Sequence, residues 1–164
     1  MDLELKLELS RFDVRPFEPL EIVVKWKNNR LEHGTELDLI TLFIGYNPAW
    51  GEDWYLLPWY GIDNNLYYWG TYCVTVAPYK GEIDEEIDFS YTIDLCDYYD
   101  VSYIKCGVLV MLTEYKPLRT YKRDYGHGTR VIGLRAEGVD YLLEEENSII
   151  AWRMFYDLFT LYPD

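Results

Sequence analysis

The chain is short of positive charge. Its 15 Lys and Arg are set against 29 Asp and Glu, a formal net charge of −14 over 164 residues. A surplus of that size repels a phosphate backbone or an anionic membrane, so no nucleic-acid partner is expected. Long apolar runs are missing as well. No stretch approaches the roughly 20 residues of a membrane-spanning helix, and no membrane span is expected. Histidine occurs only as His33 and His127, and cysteine only as Cys73, Cys96 and Cys106. Neither set has zinc-ligand spacing, and no C-x-x-C pair occurs. Small buried thiols are one reading of the cysteines; one disulfide with a leftover thiol is the other. The opening Met1-Asp2-Leu3-Glu4-Leu5-Lys6 has neither the basic start nor the apolar stretch of a signal peptide. A cytoplasmic or intracellular location is the expectation, with a mature secreted form left open.

What is present is strand periodicity and aromatic mass. The hydrophobic fraction is 49% and the aromatic fraction 18%, with 17 Tyr and 6 Trp; at this length a single domain over 1–164 can bury a real core. Leu3, Leu5, Leu7 and Leu9 alternate with Glu4, Lys6 and Glu8, the pattern of a strand with one buried face. Pro16 and Pro19 interrupt it. Leu20, Ile22, Val24 and Trp26 then alternate with Glu21, Lys25 and Lys27, and Asn28-Asn29-Arg30 ends that strand. Residues 37–44 are apolar on both faces, as a central strand would be. Further strands are expected at 72–76, 87–95 and 103–113, the last with Cys106, Val108, Val110 and Leu112 on one face. Tyr121 and Val131-Ile132 are placed to flank a hairpin with its tip at 124–128. The expected fold is all-β: a two-sheet antiparallel sandwich, immunoglobulin-like or jelly-roll-like.

Two segments depart from that pattern. Residues 45–69 hold Pro48, Gly51, Pro58, Gly61 and Asn64-Asn65 together with four tryptophans; they read as a long aromatic-rich excursion from the sheet. Residues 139–164 read as a C-terminal appendage. Within it Asn147-Ser148 can cap a short helix over 149–161, with Arg153, Asp157 and Thr160 as its polar stripe; the same residues can also be written as a strand, and the helix is slightly favoured.

The run from Glu8 to Asn28, a strand, a turn with Pro16 and Pro19, then Leu20-Glu21-Ile22-Val23-Val24-Lys25-Trp26-Lys27-Asn28, resembles the opening of immunoglobulin-like domains of the cell-adhesion-related type. Leu20 stands where that family usually has Gly after the turn proline, and its Cys…Trp…Cys core has no counterpart. The resemblance implies a sandwich with a binding or structural role and designates no site.

Several strings invite a chemical reading. Gly126-His127-Gly128-Thr129-Arg130-Val131-Ile132-Gly133 resembles the histidine motif of subtilisin-like serine proteases. Such an enzyme needs a nucleophilic Ser and an orienting Asp. Ser10, Ser90, Ser102 and Ser148 lie in no matching context, and no Asp-Ser/Thr-Gly motif occurs. The expectation is no catalytic residue and no enzyme, although paired carboxylates such as Glu52 and Asp63 could in principle cleave glycosides. From Glu82 to Asp100 the chain carries eight acids and no Lys or Arg. Within that run Asp94, Asp97 and Asp100 could gather around calcium, or the run is a solvated strand edge. No other cofactor is expected. A basic patch follows: Lys116, Arg119, Lys122, Arg123, Arg130 and Arg135. Beside the acidic run it would suit head-to-tail assembly.

The aromatic residues of the excursion, chiefly Trp50, Trp54, Trp59, Tyr60 and Trp69, are candidates for contact with a partner, and core packing is the competing use. Three functions follow from these observations. The first is a non-enzymatic structural or interaction module acting by protein–protein contact, with a partner or with itself, as an assembly, coat or accessory protein. The second is a carbohydrate-binding module stacking Trp and Tyr on a glycan. The third is an acidic mimic of nucleic acid that blocks a basic protein.

Overall fold

The N-terminal alternation becomes a short strand, β1 (Lys6–Leu9). A computed structural model describes residues 5–15, 18–28, 37–56, 59–61, 67–68, 71–76, 85–95, 103–114, 130–137 and 149–162. Every regular element among them is a strand. After β1, β2 (Asp13–Val14) crosses over, and β3 (Pro19–Asn28) returns to pair antiparallel with β1. Pro19 opens β3, a place where its missing N–H costs the ladder little. The next long strand, β4 (Leu37–Tyr46), is followed by the short β5 (Tyr55–Leu56), β6 (Trp59–Gly61) and β7 (Tyr67–Tyr68). Then come β8 (Thr71–Val76), β9 (Glu85–Leu95), β10 (Ile104–Glu114), the hairpin strands β11 (Val131–Ile132) and β12 (Arg135–Ala136), and β13 (Ile149–Leu161).

Two main sheets result. One has the order β1-β3-β9-β6 and the other β2-β13-β10-β4-β8-β7, with β5 added to β4; one of them curls into a half-barrel. As the sequence implied, β4 is central, flanked by β10 and β8. Its apolar residues go both ways because both faces of this sheet are covered. On one face Leu37, Leu39 and Phe43 join Val108, Val110 and Leu112 of β10 and Leu20, Ile22, Val24 and Trp26 of β3 in a single buried cluster. On the other, Ile40, Leu42 and Ile44 join Leu109 and Met111, with Leu56 and Val131 laid across them. Each buried Leu, Ile or Phe contributes about 1.5–3 kcal/mol, so both layers count. In register, the β9 positions Ile87, Phe89, Tyr91 and Ile93 stand opposite Trp26, Val24, Ile22 and Leu20.

One expectation is corrected. Residues 149–161 are not a helix but a strand of 13 residues paired with β10. That ladder shifts register twice, between Leu112 and Thr113 and between Cys106 and Val108. Ala151 and Phe159 are buried in one core cluster and Phe155 packs against it, four apart as on a helix face. Within 45–69, the described short strands join the sheets. β5 pairs back onto β4, β6 joins β9 in the other sheet, and β7 joins β8. Val131-Ile132 pair with Arg135-Ala136. Gly133, at φ 59°, with Leu134 closes that hairpin in a two-residue turn of the kind that favours Gly first. Tyr121 and the expected tip at 124–128 lie outside the described residues.

Candidate functional site

The second face of the larger sheet ends in a group of aromatic rings. β4 finishes at Tyr46, and a turn follows in which the Trp50 N–H donates to the Asn47 carbonyl at 2.9 Å and the Ala49 N–H to Asn47 Oδ1 at 2.9 Å. Asn suits such a turn because its short side chain accepts from the backbone two residues on. The chain doubles back to bring Trp54 over the sheet, where the Val131 N–H donates to the Trp54 carbonyl at 2.8 Å. Arg130 closes the same corner with an ion pair to Asp53 at 3.1 Å, exposed and so worth little in stability.

Trp54 is thereby held between two tyrosines. Its ring meets Tyr46 edge to face, with centroids 4.7 Å apart and planes at 81°, and meets Tyr156 at 5.2 Å and 53°. Such pairs add about 0.5–1.5 kcal/mol each beyond area burial. Tyr156 belongs to β13, at the bulge where Phe155 pairs Val108 and Phe159 pairs Cys106. Asp157 in that bulge has φ 51°. The opposing residue is Gly107, and a β-carbon there would overlap the Phe155 carbonyl. Bulges of this kind re-aim side chains and cluster near functional sites. Here the bulge puts Tyr156 beside Trp54 and the Asp157 carboxylate near Tyr46. Partial burial raises the Tyr46 phenol above its usual 10.0, helped by Asp157, Glu52 and Tyr103. The surface therefore joins three packed rings to two carboxylates, with Trp152 and Tyr156 41% and 50% exposed along β13.

The candidates from sequence are only partly gathered here. Trp54 is the centre of the cluster, while Trp50 stands 80% exposed on the turn. Trp59 and Tyr60 are in β6, paired with Leu95 and Asp94; Trp69 lies outside the described residues. Of the basic patch, Arg130 is engaged with Asp53, and Lys116, Arg119, Lys122 and Arg123 lie outside the described residues. Asp94 is a register partner of Pro19 and Tyr60, and Asp97 and Asp100 lie outside them too. Among the described residues no three His, Cys, Asp or Glu gather to hold a metal ion, and no helix is long and apolar enough to cross a membrane. His127 lies outside the described residues; the end of its string forms the Val131–Ala136 hairpin. Tyr46, Trp152, Tyr156 and Asp157 were missed by sequence reasoning. Neither a helix nor a strand over 149–161 says by itself that Trp152, Tyr156 and Asp157 come beside Trp54 and Tyr46, because that depends on the pairing of β13 with β10 and on the bulge.

The chain matches no protein-family model, and no curated protein is significantly similar to it.

Proposed function

We propose that this protein is a non-enzymatic interaction module that docks another protein on the aromatic surface centred on Trp54. The observation that carries this reading is the seating of Trp54 between Tyr46 and Tyr156 at the open end of a doubly covered sheet. Aromatic side chains held rigidly by their neighbours lose little conformational freedom on binding and supply large contact areas, which is why they dominate protein interfaces. The acidic fringe of Glu52 and Asp157, on a chain of net charge −14, favours a partner with a basic rim.

The scaffold in this reading is an immunoglobulin-like sandwich. The orders β1-β3-β9 and β13-β10-β4-β8 correspond to A-B-E and G-F-C-C′ of a variable-type domain. One core cluster drawing on β3, β4, β10 and β13 supports the stacking of the sheets. The short β6 and its place in chain order depart from that scheme. A glycan platform is the weaker use of the same rings. Sugar stacking needs open, roughly coplanar faces, and Tyr46, Trp54 and Tyr156 turn edges and faces toward one another.

Affinity capture with the wild type and the Trp54→Ala/Tyr156→Ala double variant, from cells that make the protein, tests this function. A partner retained by the wild type and lost from a variant of unchanged circular dichroism is expected. Equal retention by both would remove the surface from the account, and retention of a polysaccharide instead of a protein would transfer it to the second reading.

A further inference from the structure

The outer edge of β13 is open backbone among the described residues. β13 pairs with β10 along nearly its whole length. On its other side it meets β2 only at Thr160 and Leu161. There the edge already takes a strand: the Thr160 N–H donates to the Phe12 carbonyl and the Tyr162 N–H to the Val14 carbonyl, each at 2.8 Å. No described strand occupies the stretch 149–158 on that side. Alternate residues of a strand turn their N–H and C=O away from the ladder partner, so this stretch offers a row of groups to an incoming chain.

The chemistry along the row is specific. Trp152 and Met154 pair with Met111 and Leu109, which puts them on the same face as the Trp54 cluster, and Tyr156 follows in contact with Trp54. The Glu52 and Asp157 carboxylates stand at that end, near Tyr46. Arg153 faces the other way, with its Nη1 donating to the Leu5 carbonyl at 2.9 Å and its guanidinium 4.5 Å from the Phe155 ring centroid, so it does not oppose an incoming cation. A strand added beside β13 would set every second side chain next to Trp152, Met154 and Tyr156. Ring faces with carboxylates beside them favour ammonium and guanidinium groups.

We propose that the β13 edge binds an extended segment of a basic protein, with Lys or Arg at alternate positions, which adds as a strand beside residues 149–156. The Asp157 bulge ends the docking row, because its left-handed residue breaks regular pairing. A second copy of this chain is the poorer occupant, since it brings a further −14 of charge. This inference rests on the reading of the Trp54 surface as a protein contact and names the partner's chemistry.

The test is amide hydrogen exchange and NMR on the full chain, titrated with a nine-residue alternating Lys–Val peptide and, separately, an alternating Glu–Val peptide. In the free protein, alternate amides of 149–156 exchange fast. With the Lys–Val peptide at about ten times its Kd they slow about tenfold, as mass action requires, and the Trp54 and Trp152 indole signals shift. The Glu–Val peptide leaves both unchanged, and Glu52→Gln with Asp157→Asn weakens Lys–Val binding without altering the fold. Slow exchange of these amides in dilute free protein would overturn the proposal, because the chain would then cover its own edge. Protection that appears with protein concentration alone would assign the edge to a second copy. An equal response to both peptides, or shifts confined to other strands, would also overturn it. Loss of the captured partner in the Trp54→Ala/Tyr156→Ala variant together with an unprotected edge would sink this inference and leave the surface standing.

Discussion

Gly107 on β10 lies against the backbone carbonyl of Phe155 on β13 with no room for a β-carbon between them. That close approach admits the bulge that carries Tyr156 and Asp157. A Gly107→Ala substitution must push β13 outward. Overpacking of this kind costs about 1–3 kcal/mol, visible as a lower denaturant midpoint. Because the displacement starts at the bulge, the Trp54 fluorescence should also change, while the distant Leu39–Val74 pairing of β4 and β8 keeps its exchange protection.

Trp54 and Trp50 are both expected to matter for contact, but only one of them for stability. Trp54 packs on Tyr46 and Tyr156, so Trp54→Ala should cost about 2 kcal/mol from the lost ring pairs and area. Trp50 is 80% exposed, and Trp50→Ala should stay within about 0.5 kcal/mol of wild type. Urea unfolding of the two variants side by side checks the contrast.

Cys106 is fully buried at the β10–β13 ladder, and burial pushes its thiol far above the usual range. The thiolate is the reactive form. In a Cys73→Ser/Cys96→Ser variant, Cys106 should therefore stay inert to a thiol reagent at pH 8 and react fully once denatured. Rapid labelling of the native variant would contradict the burial.

Tyr46 gives a pH signature. Its folded phenol holds its proton to a higher pH than the usual 10.0, first through burial and then through Asp157 and Glu52. The unfolded phenol ionises first, so this contribution to stability is complete below pH 10.0 and is lost as pH rises through the folded value. Wild type should lose more stability than Tyr46→Phe between about pH 9 and pH 11. Asp157→Asn should lower the Tyr46 titration midpoint toward the ordinary value, read from labelled tyrosine ring signals.

How much of this was legible depends on which faces are covered. β1 and β3 alternate because each has one face in the core, and β4 is apolar on both faces because each face meets a cluster; burial of that kind writes itself into the residue order. β13 was illegible for a physical reason. Its bulges interrupt the two-residue period, and Arg153 stands at an inward position that it satisfies by reaching the Leu5 carbonyl. The aromatic content of residues 45–69 was plain, but the choice of Trp54 over Trp50 was not. It depends on the Asn47 turn and on the hydrogen bond from Val131, a partner more than seventy residues away.

Site-specific photo-crosslinking in cells that make the protein tests the central claim most directly. A benzophenone amino acid at Tyr156, beside Trp54, is compared with one at Glu21, exposed on the smaller sheet. A discrete protein adduct from position 156 and none from position 21 is the expected result. An adduct from position 21 alone, or none from 156 where the folded protein accumulates normally, would contradict the assignment of contact to the Trp54 surface.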